Sequence, residues 1–158
     1  MTRAIRRAMR GMSSVEFAIV GTAVFVLLFA VADLGRLMYV RTMLEEGVRR
    51  SARLAAVCPV GDPYARAAAI FDERNWGVRF LPDMTTANVQ VQFLNATGAV
   101  IADPNANFTQ IRFVRVSIVN YVVPVLVPFL PINYTPQDVS STEPVESLGV
   151  TATEVVPC

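Results

Sequence analysis

One carboxylate, Glu16, stands directly before sixteen uncharged and mostly apolar residues, Phe17 to Ala32. An ionised carboxylate in lipid costs several kcal/mol unless it is paired. A purely hydrophobic anchor gains nothing from it, so the residue needs an explanation. Ser13-Ser14-Val15-Glu16 fits the capping box S-x-x-E, in which Ser13 caps a helix and Glu16 bonds back to the Ser13 backbone N–H. That reading is local and attaches no function to the charge.

Catalytic chemistry has little else to use. The sequence has no His, its two cysteines lie a hundred residues apart, and no close group of Asp and Glu offers metal-ligand spacing. Asp72-Glu73 reads as a solvated helix face. The expectation is a protein that is not an enzyme, with no metal and no cofactor. The sequons at Asn95, Asn107 and Asn133 would matter only in a eukaryotic secretory route. Cys58 ends the N-terminal helical region and Cys158 ends the chain. Outside the cytoplasm an oxidising compartment favours pairing them, and two unrelated thiols is the alternative.

The elements that position these residues follow from charge and periodicity. Arg3, Arg6, Arg7 and Arg10 precede the apolar run with no acid among them, whereas from Asp33 onward 10 Arg oppose 12 Asp and Glu. This is the positive-inside pattern, with the N-terminus cytoplasmic and the remainder across the membrane. The slightly acidic larger part does not suggest nucleic-acid binding. After Asp33 the apolar residues Leu34, Leu37, Met38, Leu44, Val48, Ala52 and Ala55 recur at helical steps, with Arg41, Glu45, Glu46, Arg49, Arg50 and Arg53 between them. Glu45 with Arg49 and Glu46 with Arg50 support this extension, Gly35 and Gly47 weaken it, and Pro59 stops it. A helix from Ser13 to Val57 reaches about 67 Å, of which lipid needs only about 30 Å. The outer half must pack on something.

Downstream, Asp62-Pro63 signals a helix start, and the short helix should run to about Asn75 before Gly77. Val89, Val91 and Phe93 alternate as a strand that turns at Asn95-Ala96-Thr97-Gly98 into a partner near Ala99 to Ala102. A longer strand is expected over Thr109 to Val123, with a bulge or two-sided burial where alternation slips at Phe113-Val114. Residues 124–136 carry Pro124, Pro128, Pro131 and Pro136 and cannot form an interior strand. They read as an apolar loop against membrane or partner, or as a cover for the domain's own core. A last strand is expected over Leu148 to Val156. The fold class is α+β, with a single long N-terminal transmembrane helix and amphipathic extension, then a short helix and an antiparallel sheet. Its parts are a basic leader, 1–11; the long helix, 12–58, spanning the membrane over about 14–35; and an extracytoplasmic α+β domain, 59–158.

Two cleavage patterns compete. Ala30-Val31-Ala32 fits an A-x-A signal peptidase site, which would release a soluble periplasmic protein beginning at Asp33. Gly11-Met12-Ser13-Ser14-Val15-Glu16-Phe17 resembles the prepilin peptidase site of type IV pilin-like proteins, where a basic leader ends in Gly and Glu is fifth in the mature chain. On that resemblance, cleavage between Gly11 and Met12 exposes a cationic amine at Met12. This amine would pair with Glu16 of the same or a neighbouring subunit. Residues 10–57, with Glu16-Phe17, Asp33-Leu34-Gly35-Arg36 and Ala52-Arg53, resemble TadE-like pseudopilins of the tight-adherence (Flp) pilus system. The TadF-like subtype and a minor pseudopilin of type II secretion remain open. The resemblance implies a bacterial inner-membrane protein whose partners are other pilins and pseudopilins, the prepilin peptidase, the pilus assembly platform and the lipid bilayer.

Overall fold

No proline interrupts the first 57 residues, and helix α1 runs unbroken over Thr2–Val57 until Pro59 ends it. The computed structural model describes residues 2–72, 81–127, 131–151 and 154–158, with side chains from residue 13 onward. The chain forms two compact units, Met1–Met38 with Val123–Tyr134, and Tyr39–Val122 with Thr135–Cys158. The layout is the α+β one expected, with one long apolar N-terminal helix, a short helix and antiparallel sheets.

In the larger unit, the α1 residues Val40, Leu44, Val48, Ala52 and Ala55 are buried. Their steps of three and four place them on one helix face. Helix α2, Pro63–Ala69, begins as its sequence dictates, with the Asp62 carboxylate accepting the Tyr64 N–H at 2.8 Å and proline in the first turn. It ends sooner than the expected Asn75. The Ile70 and Asp72 N–H groups both fold back onto the Ala67 carbonyl, and Phe71 has φ 59°. Residues 73–80, which include the anticipated end at Asn75 and the Gly77 beyond it, lie outside the described residues.

Gly47 explains how closely α2 approaches α1. A Cβ at this position would lie 2.3 Å from the Ala69 carbonyl oxygen, so the glycine that weakens the helix locally admits the end of α2. Ser51, fully buried, donates to the Ala65 carbonyl at 2.6 Å and leaves no unpaired hydroxyl between the two helices.

The main sheet is antiparallel in the order β1-β2-β5, where β1 is Val89–Leu94, β2 is Phe113–Ile118 and β5 is Ser140–Pro144. Phe93 pairs with Val114 and Val91 with Val116, a continuous register without the anticipated bulge. The slip at Phe113-Val114 arises because the strand starts there: Phe108–Gln110 forms a single 3₁₀ turn, and Asn120, with φ 54°, turns the chain after the strand. The partner expected at Ala99 to Ala102 reduces to one bridge, Leu94 with Val100. Leu148 and Gly149 both have positive φ and break the strand expected over Leu148 to Val156, leaving an isolated bridge between Val150 and Val155. The third strand is instead β5, whose polar sequence gives no hydrophobic alternation.

The smaller unit holds the apolar part of α1 and a two-stranded antiparallel pair, β3 (Val123–Pro124) with β4 (Asn133–Tyr134). Of its described prolines, Pro124 lies in β3 and Pro131 precedes β4, both outside the main sheet.

Candidate functional site

The N-terminal candidate residues lie on one uninterrupted helix. In the uncut chain α1 begins at Thr2, so Ser13 is an interior helical residue there and does not cap it. Gly11, Met12, Glu16 and Phe17 share this helix, and Met12 and Glu16 stand four residues apart on one face. Side chains tilt toward a helix's N-terminus, so the Glu16 carboxylate is directed to the turn that contains Met12. Glu16 is exposed, and Phe17 is 79% exposed.

From Phe17 onward the apolar side chains Ile19, Val20, Val24, Phe25, Leu27, Leu28, Phe29 and Val31 are all exposed. The one polar side chain of the run, Thr22, donates to the Ala18 carbonyl at 2.8 Å and is thereby satisfied within the helix. A helix this long and apolar, with none of its apolar window buried, is a candidate membrane span.

At the far end of the run the charge is dealt with inside the chain. Asp33 is 5% exposed. Its Oδ1 accepts from Arg36 Nε at 2.7 Å and its Oδ2 from the Leu126 backbone N–H at 3.0 Å. Arg36 Nη2 donates to the Pro124 carbonyl. Val125, between them, donates its N–H to the Ile132 carbonyl at 2.9 Å. Consecutive backbone groups therefore point alternately to the hairpin partner and to the helix, and the Asp33–Arg36 pair occupies the strand edge. The sequence marks Asp33 and Arg36 as the end of the apolar run; their partners, some ninety residues on, leave no local signal.

The C-terminus closes the other end of α1. Cys58 and Cys158 form a disulfide, with Cα atoms 5.6 Å apart. The Glu146 N–H donates to the Ala56 carbonyl at 3.0 Å, and the Cys158 N–H to Asp62 Oδ2 at 3.2 Å. The segment that follows β5 thus occupies the otherwise orphaned carbonyl end of the helix. Gly149 belongs to this closure: it has φ 73°, and a Cβ there would lie 2.4 Å from Pro59 Cγ. Among the described residues no group of three or more His, Cys, Asp or Glu is placed to hold a metal ion.

An exposed apolar helix with charged residues at both ends, followed by a disulfide-closed α+β unit, describes a candidate single-pass membrane protein. Residues 11–53 match the model of TadE-like proteins, within the residues 10–57 that carry the resemblance. No curated protein and no solved structure matches the chain.

Proposed function

We propose that the chain is a non-enzymatic pilin-like subunit, processed by a prepilin peptidase after Gly11, that serves assembly of a Tad-type adhesive pilus from the bacterial inner membrane. Its N-terminus faces the cytoplasm and its C-terminal part lies outside. Its partners are other pilins and pseudopilins and the membrane platform that assembles them. The observation that carries this reading is the position of Glu16: exposed, on a continuous helix, at the head of an unburied apolar face, within the segment that matches TadE-like proteins.

Cleavage after Gly11 gives that carboxylate a partner. The new Met12 amine is cationic and one turn away, and a pair of this kind gains strength where water is scarce. The rival cut after Ala32 finds less support. It would divide the segment, residues 11–53, that matches TadE-like proteins, and would leave Asp33, whose carboxylate accepts from Arg36 and the Leu126 N–H, at a chain terminus.

The test is Glu16→Gln, which keeps the size and hydrogen-bonding capacity of the side chain and removes its charge. Glu16→Gln is expected to be cut after Gly11 and to remain membrane-inserted, while failing to co-purify with other pilin subunits or to support pili. Glu16→Asp should be intermediate, since it keeps the charge on a shorter arm. Pull-down and pilus counts at matched protein levels decide it: wild-type assembly by Glu16→Gln refutes the charge pair.

A further inference from the structure

The hairpin held by Asp33 and Arg36 has a direction. As the chain advances from Pro124 to Leu126, its partner on α1 moves back from Arg36 to Asp33. The segment therefore runs antiparallel to the helix and heads toward the apolar run that ends at Ala32. Asp33 is the first residue beyond that run, so Leu126 already stands at the level where the helix leaves its apolar stretch.

The chemistry of the segment suits that level. From Val122 to Ile132 the sequence is Val-Val-Pro-Val-Leu-Val-Pro-Phe-Leu-Pro-Ile, with no polar or charged side chain. Leu126 is 61% exposed and Ile132 53% exposed. Backbone N–H groups left unpaired near hydrocarbon cost several kcal/mol each. Among the described residues here, Pro124 and Pro131 have none, Val125 donates to Ile132, and Leu126 donates to Asp33. The apolar stretch is followed by Asn133 and Tyr134, residue types that suit the headgroup region.

We infer that the hairpin is a lipid-binding element: Asp33 and Arg36 hold it against the helix so that Leu126 and Ile132 enter the acyl-headgroup boundary of the leaflet beside Asp33. The inference rests on the reading of the apolar run as a membrane span. The occupant is lipid because the patch is continuous with the exposed apolar helix, which shares its compact unit. The hairpin gives the single span a second insertion and limits rotation of the helix about its own axis.

The test uses the full chain in phosphatidylcholine–phosphatidylglycerol nanodiscs, with Trp76→Phe as background and a single reporter, Leu126→Trp or Ile132→Trp. Phosphatidylcholine brominated near the headgroup or deep in the acyl chain supplies the quenchers, and Phe25→Trp marks the span. Both hairpin reporters are expected to emit to the blue of free tryptophan and to be quenched most by the shallow bromines, and the Phe25→Trp reporter most by the deep ones. Adding Asp33→Ala should abolish quenching at 126 and 132 and leave it unchanged at 25. Water-like, unquenched hairpin emission with a quenched span overturns the inference, as does blue-shifted but unquenched emission, which would mean that protein covers the patch. Quenching that survives Asp33→Ala overturns the tether. An unquenched Phe25→Trp reporter overturns the membrane reading itself, and the two failures are thereby told apart.

Discussion

Glu16 and Asp33 bracket the apolar run, and the fold treats them differently. Asp33 is buried with both oxygens occupied, so its charge is balanced within its own unit. Glu16 is exposed at the opposite end, and under the proposed processing the Met12 amine or a neighbouring subunit balances it. A similar distinction separates two glycines of α1. A methyl group at Gly35 would meet nothing within 4 Å, whereas at Gly47 it would strike the Ala69 carbonyl, a backbone atom that cannot move aside alone. Overpacking of that kind costs about 1–3 kcal/mol, against a helix-propensity gain of about 1 kcal/mol for alanine. Gly47→Ala is therefore expected to lower the thermal midpoint of the purified protein, and Gly35→Ala to leave it equal or higher. Circular dichroism melts of both variants in one detergent check this; equal midpoints would mean that α2 does not press on α1.

At the scale of elements, what was legible depended on whether the signal was local. The apolar run and its proline-free extension specify α1, and Asp62-Pro63 places the start of α2. Val89, Val91 and Phe93 place β1 because alternation is a property of the strand itself. The end of α2 has no such signal, since no proline or glycine marks Ile70; the chain leaves the helix by a tight turn onto Ala67. β5 is illegible for a different reason. Ser140-Ser141-Thr142-Glu143-Pro144 is an exposed edge, held by main-chain pairing to β2, and such pairing leaves no trace in side-chain hydrophobicity. The strand expected over Leu148 to Val156 fails because Leu148 and Gly149 both take positive φ. In the candidate site, Glu16, Asp33 and the cysteines could be selected from their types and positions. The bonds from Asp33 and Arg36 to Leu126 and Pro124 could not, because they depend on where the fold returns a segment some ninety residues later.

For the molecule as a whole, the Cys58–Cys158 disulfide ties the end of the long helix to the end of the chain across a separation of 100 residues. In the chain-entropy picture a closed loop of that size stabilises by about 4.7 kcal/mol. That is a large share of the roughly 5–15 kcal/mol that holds a small domain together. Cys158→Ser is expected to fold less stably and to be cut sooner in limited proteolysis, with new cleavage in the segment after β5. Proteolysis at the wild-type rate would show that the hydrogen bonds to Ala56 and Asp62 hold the C-terminus by themselves.

The central claim is that the chain keeps its apolar helix and loses only its basic leader, and the first residue of the mature protein tests it most directly. Intact-mass and N-terminal sequencing of the protein from native membranes should find Met12 at the amino terminus, with the protein in the membrane fraction. An amino terminus at Asp33 in the soluble fraction, or an unprocessed Met1 in cells that assemble pili, would contradict it.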